Sequence, residues 1–198
     1  MRREWGVTTP MRRSLPVLVA AALLLGAWSG EAAPVRFVVE PEKSQVAYVS
    51  GTQLGEFRGD TTAVGGEILM DPQDPSRLRL AVSADLRQLK SDNARRDQHM
   101  YEQLLEVARF PKATFTAGEF RPNGAGAGQG VLVGTFALHG VERVVSVPVR
   151  FKLEGNTLRG DGTFTIALAD FGMTPPRLLG LKVRDRAVVE IRLVGSGR

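Results

Sequence analysis

Arg77-Leu-Arg-Leu-Ala-Val-Ser-Ala-Asp-Leu86 is the stretch that decides the fold class. Leu78, Leu80, Val82, Ala84 and Leu86 take every second position, with Arg77, Arg79, Ser83 and Asp85 between them. A period of two sends alternate side chains to opposite faces of an extended strand, one face buried and one in water. Strands of a parallel α/β core are covered on both faces and read as unbroken apolar runs, so this alternation predicts antiparallel sheet. The same rhythm closes the chain, where Val189, Ile191 and Leu193 face inward while Glu190 and Arg192 face water.

Working outward, eight segments of this kind stand between turn signals: 43–50, 61–70, 77–86, 112–120, 131–138, 144–153, 158–168 and 187–194. Gly155-Asn156 is a tight hairpin signal, and the glycine-rich run 123–130 reads as a longer surface loop. Segment 92–109 lacks the alternation. It sets Met100 with Leu104, and Tyr101 with Leu105 and Ala108, at helical spacing. Ser91 or Asp92 is placed to cap it and Pro111 to stop it, which predicts one amphipathic helix, or two short ones, packed on the strands. Eight antiparallel strands pair into a sandwich or close into a barrel. Closure removes exposed edges, and at eight strands the interior can hold one small ligand.

Composition narrows the chemistry. The 198 residues suit one globular domain, and 43% hydrophobic with 24% charged residues of mixed sign excludes a disordered chain. With no cysteine, disulfide scaffolds, thiolate metal sites and thiol nucleophiles are out; two histidines cannot make a three-histidine zinc site. Binding therefore starts ahead of catalysis, with no metal and no cofactor expected.

Residues 1–32 have the layout of a secretory signal peptide. Arg2, Arg3, Arg12 and Arg13 precede an uncharged apolar run from Leu15 to Trp28, and Gly30 and Ala32 sit before a cleavage point ahead of Ala33. The run is shorter than the roughly 20 residues a membrane span needs. Either Met1 or Met11 serves as the start. Those residues hold four arginines against Glu4 and Glu31, so the net charge falls from +5 to +3 without them. No basic block interleaved with aromatics appears, and nucleic acid is not an expected partner. The remaining domain, 33–198, is expected in the periplasm or outside the cell.

Reactive motifs are sparse. Gly124 to Gly130 misses the dinucleotide-binding spacing and opens no helix. Asp170-Phe-Gly172 matches a kinase triplet without the rest of a kinase, and His139 reads as a turn residue. The densest polar cluster is Arg95-Arg96-Asp97-Gln98-His99. Asp97 and His99 diverge by about 200° on a helix, so they share no metal there, and Arg96 with Asp97 suits structural ion pairing. A hydrolase or isomerase using Asp97 and His99 with partners from elsewhere stays open as an alternative.

Six pieces in order resemble the YceI-like family of exported, lipocalin-like proteins. They are Glu40-Pro-Glu-Lys-Ser44 with Val46, Gly55-Glu-Phe57-Arg-Gly59 as a hairpin, Arg96-Asp97-Gln-His99-Met100, Phe110-Pro-Lys-Ala-Thr-Phe115, Gly134 to Val141 with Val147-Pro-Val149, and Asp170-Phe-Gly-Met173. Phe37 stands where the family usually carries Trp, and Ala169 where Arg is common.

The resemblance implies an all-β, mainly antiparallel, eight-stranded lipocalin-like barrel with a helical insertion between the third and fourth strands. It implies non-catalytic binding or transport of a polyisoprenoid, isoprenoid-quinone-like or similar amphipathic lipid, with transient contact at a membrane surface for exchange, by a monomer or homodimer. The lining it suggests is Phe57, Ile68, Leu80, Val82, Phe115, Phe136, Val147, Phe164, Ile166, Phe171 and Met173. A solid core predicts the same alternation, so a periplasmic stress-response or interaction protein with a filled barrel is the other alternative.

Overall fold

The structure, a computed structural model, describes residues 33–124, 128–175, 177–178 and 181–198. The expected signal peptide, 1–32, and the middle of the glycine-rich run lie outside the described residues.

The chain runs through β1 (Val35–Val39), β2 (Gln45–Gly51), β3 (Glu56–Thr61), β4 (Val64–Met70), β5 (Arg79–Asp85) and β6 (Lys90–Ser91). Helix α1 (Ala94–His99) follows, then β7 (Lys112–Pro122), β8 (Gln129–Leu138), β9 (Val141–Glu154) and β10 (Thr157–Ala167). A small hairpin of β11 (Arg177–Leu178) and β12 (Leu181–Lys182) precedes β13 (Arg186–Gly197). All pairings are antiparallel, and the ring β1-β4-β5-β7-β8-β9-β10-β13 closes through β13 on β1. This is an eight-stranded antiparallel barrel, with its helical insertion between β5 and β7.

All eight expected segments are strands. Sequence reading missed β1 and read Gly55–Gly59 as a hairpin. The turn instead occupies the preceding residues, with Thr52 N–H donating to Gly55 C=O at 2.9 Å, and Phe57 and Gly59 lie within β3. Tight turns hold where the signal was strongest: Gly155, at φ +58°, lets β9 reverse into β10 within two residues.

The closing seam is built by the Glu40-Pro-Glu-Lys-Ser44 motif. Residues 188–192 of β13 pair with β2, and residues 195–197 pair with β1. Pro41 has no N–H to give a ladder, and a 3-10 turn at Pro41–Lys43 separates β1 from β2. The gap is spliced by neighbouring groups: Glu40 N–H donates to Val194 C=O at 2.8 Å, and buried Ser44 Oγ accepts from Val194 N–H at 3.0 Å. Both backbone groups of Val194 are thereby satisfied inside the wall.

The helical segment differs from expectation at both ends. Asn93, rather than Ser91 or Asp92, caps α1 by accepting from Arg96 N–H at 3.0 Å, because Ser91 is committed to Asp97. The helix widens into a π turn at Met100–Leu104 and stops there, well before Pro111, as Glu106 turns left-handed at φ +45°. Met100 and Leu105 are buried, whereas Ala108 lies past the helix end and is exposed.

Candidate functional site

Among the described residues, two apolar cavities stand out inside the barrel. The larger has a volume of about 150 Å³ and the smaller about 60 Å³. Val82, Phe115 and Ile191 belong to the walls of both and form a waist between them. The larger cavity is bounded by β2, β3, the ends of β5, β7 and β8 nearest the helical segment, and the start of β13; the π turn (Met100, Leu104) and Leu105 cover it. Both walls are almost wholly apolar.

The expected lining distributes between these spaces. Phe57, Phe136, Ile166 and Met173 face the larger cavity, Ile68, Leu80 and Val147 the smaller, and Val82 and Phe115 both. Phe164 and Phe171 stand behind the wall as buried support, edge-on to Phe136 at 5.3 and 5.6 Å between ring centres. Wall residues missed by sequence reading include Val46, Tyr48 and Ser50 of β2 and Arg96 and His99 of α1. The β2 residues carried the period-two signal; a helix gives no such cue to which polar side chain turns inward.

Tyr48 is seated by a small neighbour. Its cross-strand partner is Gly59, where a Cβ would collide with the tyrosine ring. The ring meets Phe57 edge-on at 6.3 Å, and the Arg96 guanidinium lies 4.7 Å from the Phe57 ring centre, within cation–π range. Burial pushes the Tyr48 phenol up to about 12, with Arg96 acting against the rise and Asp97 and Tyr101 adding to it. Its hydroxyl is buried and makes no hydrogen bond of good geometry among the described residues, although the Arg96 guanidinium approaches closely enough to favour the phenolate.

The Arg96–His99 cluster divides its duties. Asp97 is buried, and its carboxylate accepts from Ser91 N–H at 3.0 and 3.1 Å and from Ser91 Oγ at 2.5 Å. Arg96 Nε donates to Ser91 Oγ at 3.0 Å and its Nη2 pairs with Asp92. Asp97 thus anchors the helix on β6, while Arg96 and His99 line the cavity; Asp97 and His99 form no hydrogen bond with each other.

His139 does turn the chain, at φ +53°, and also ties three segments together. One ring nitrogen bonds Phe171 C=O at 3.2 Å and the other the Glu106 carboxylate at 3.2 Å. Arg109, and then His139, hold the Glu106 carboxyl below the usual range. Asp170-Phe-Gly172 closes a 3-10 turn, with Gly172 left-handed at φ +70°.

Comparison with known proteins agrees with this architecture. A family model described as the YceI-like domain matches residues 37–195. UPF0312 proteins of Yersinia enterocolitica and Pseudomonas paraeruginosa are 25% and 24% identical, over 82% of this chain and 87% and 88% of theirs. Among solved structures, Burkholderia cenocepacia BcnA superposes with TM-score 0.71 at 21% identity, covering 79% of this chain and 98% of that one. A polyisoprenoid binding domain from Saccharophagus degradans superposes with TM-score 0.66 at 17% identity, covering 82% and 98%. No helix among the described residues is long and apolar enough to cross a membrane.

Proposed function

Because this chain belongs to the YceI-like domain family, we propose that its barrel binds and carries the apolar tail of an isoprenoid or similar amphipathic lipid, without catalysis. The single observation that carries this reading is the waisted, almost wholly apolar space along the barrel interior. The Saccharophagus neighbour is described as a polyisoprenoid binding domain, which supports the same class of cargo.

Energetics suit the assignment. Each five-carbon unit moved out of water gains on the order of 4 kcal/mol before losses of ligand freedom, at about 0.8 kcal/mol per carbon. A wall almost free of unpaired polar groups, with the Tyr48 hydroxyl as the exception, keeps most of that gain. A void of about 150 Å³ matches the size that takes up one benzene in an engineered protein cavity. The two spaces therefore suit one or two isoprene units, and a longer tail enters by moving Val82, Phe115 and Ile191 apart. With the leader motif acting as a signal peptide, the carrier works beyond the inner membrane. There it serves as a monomer or homodimer and exchanges cargo by brief contact with a membrane surface. A filled-barrel interaction protein remains the second reading, favoured by the small size of the inner void, about 60 Å³.

Native mass spectrometry of protein purified from its own host is expected to show one lipid per chain, and delipidated protein is expected to take up a fluorescent isoprenoid. Val82→Trp, which blocks the waist, is expected to lower that uptake at least tenfold while leaving the circular dichroism unchanged. Recovery of lipid-free protein that takes up no isoprenoid would overturn the lipid role in favour of the filled barrel.

A further inference from the structure

We infer that Tyr48 is the hydrogen-bond donor that selects the cargo, and that the cargo brings a neutral, carbonyl-type oxygen into the wide cavity. This rests on reading the barrel as a lipid carrier, and it makes the oxygenated end, rather than the hydrocarbon end, the part held there.

A hydroxyl withdrawn from water is nearly always partnered, because an unmade bond in an apolar setting leaves its desolvation uncompensated. The Tyr48 hydroxyl is the exception here: a wall residue of the larger cavity with a buried oxygen and no hydrogen bond of good geometry among the described residues. The Arg96 guanidinium acts on this hydroxyl but carries only donors, so it takes no proton from the phenol. Ser50 Oγ donates to Arg186 C=O at 3.2 Å, the Tyr101 hydroxyl donates to Leu89 C=O at 2.7 Å, and Arg96 is held by Ser91 and Asp92. The phenol keeps its proton throughout the physiological range, since burial raises it to about 12, so what it offers is a donor. Gly59 and Phe57 fix the ring, so the donor is preorganised instead of being recruited from a mobile side chain.

The surrounding charge decides between a neutral and an anionic acceptor. Arg96 is the one guanidinium in the described wall, and it faces the Asp92 carboxylate with buried Asp97 beside it. A phosphate entering here would find a single guanidinium, already paired with exposed Asp92, and would feel the field of the nearby Asp97 carboxylate. A ketone or similar neutral oxygen needs only the phenol, and the apolar wall receives the rest of the molecule.

Calorimetric titration of delipidated protein with farnesylacetone, and with its analogue bearing a methylene group in place of the carbonyl oxygen, tests this. The wild type is expected to bind the ketone about tenfold more tightly, the size of one buried hydrogen bond. Tyr48→Phe is expected to erase that preference while retaining the affinity for the methylene analogue, which also reports that the variant is folded. The infrared carbonyl stretch of bound farnesylacetone is expected to lie at lower frequency in the wild type than in Tyr48→Phe. Equal binding of both compounds by the wild type, or a preference that survives Tyr48→Phe, would overturn the role of Tyr48 and leave the lipid reading standing. Tighter binding of farnesyl phosphate than of the ketone would overturn the neutral acceptor. Binding of none of the three would overturn the lipid reading itself and the inference with it.

Discussion

The two ends of the barrel share most of their strands, differ in the strand that pairs with β13, and reach opposite results. At the end where β13 pairs with β1, Phe37, Met70 and Leu158 are almost fully buried and the remaining void is small. At the other end β13 pairs with β2, β2 pairs with β3, and a short helix with a π turn covers a void more than twice as large. The difference lies in what fills the interior. Side chains of the ring strands meet across the axis at the first end. At the second, a helical segment must span the opening, and its capping and π geometry leave space beneath it. One end acts as a plug and the other as a chamber.

The comparison is broken most forcefully at the plug. Phe37→Ala empties a site where the residue is 1% exposed, and is expected to cost about 3–5 kcal/mol in chemical denaturation. Phe57→Ala, whose side chain already borders a void, is expected to cost less than half as much. Equal losses would show that the two ends are packed alike.

The chamber has its own signature in alkali. Because the Tyr48 phenol sits at about 12 in the folded protein against 10.0 when free, the folded state holds that proton longer. Its contribution is intact below pH 10 and is lost as pH rises through 12, an expected fall of up to roughly 3 kcal/mol in unfolding free energy. Denaturant titrations across that window are expected to show a shallower fall in Tyr48→Phe. What remains there includes Tyr101, whose phenol burial also raises.

The cover of the chamber is sharpened by Asp97→Ala. This leaves Ser91 N–H without its carboxylate and unhooks α1 from β6, with an expected loss of about 2 kcal/mol and faster proteolysis within 92–109. At neutral pH, Tyr48→Phe is expected to raise the stability of lipid-free protein by about 1 kcal/mol, since it deletes an unpartnered buried hydroxyl. Smallest of all is Arg58→Ala, which removes an exposed pair with Glu190 on the outer face and is expected to stay within about 0.5 kcal/mol of wild type. Together these set a site kept for binding against a core kept for stability.

Much of the barrel was legible in the sequence. The strands at 77–86 and 187–194 carry clean alternation, and most of their inward residues are buried, with Val82 and Ile191 half-buried where they border the cavities. The helical interruption was placed between the right strands because its apolar spacing breaks the period of two. What escaped notice was short or spliced. β1 holds only five residues and is cut from β2 by Pro41, and glycines at 55 and 59 mimic turn chemistry at β3. In the site, Phe57 and Phe136 were found among the expected lining, but so were Phe164 and Phe171, which stand behind the wall. Parity tells in from out and does not tell lining from support.

The sequence by itself determined the antiparallel class, the number of long strands, the position of the helix and the scarcity of reactive groups. Each of these follows from local periodicity or from composition, which are complete in the linear chain. Only the tertiary structure decided which inward side chains touch one another and which border a void, and that the hydroxyl of Tyr48 is left without a hydrogen bond of good geometry among the described residues. Those outcomes depend on side chains brought together from strands far apart in the chain, and on how a π turn spans the opening they leave.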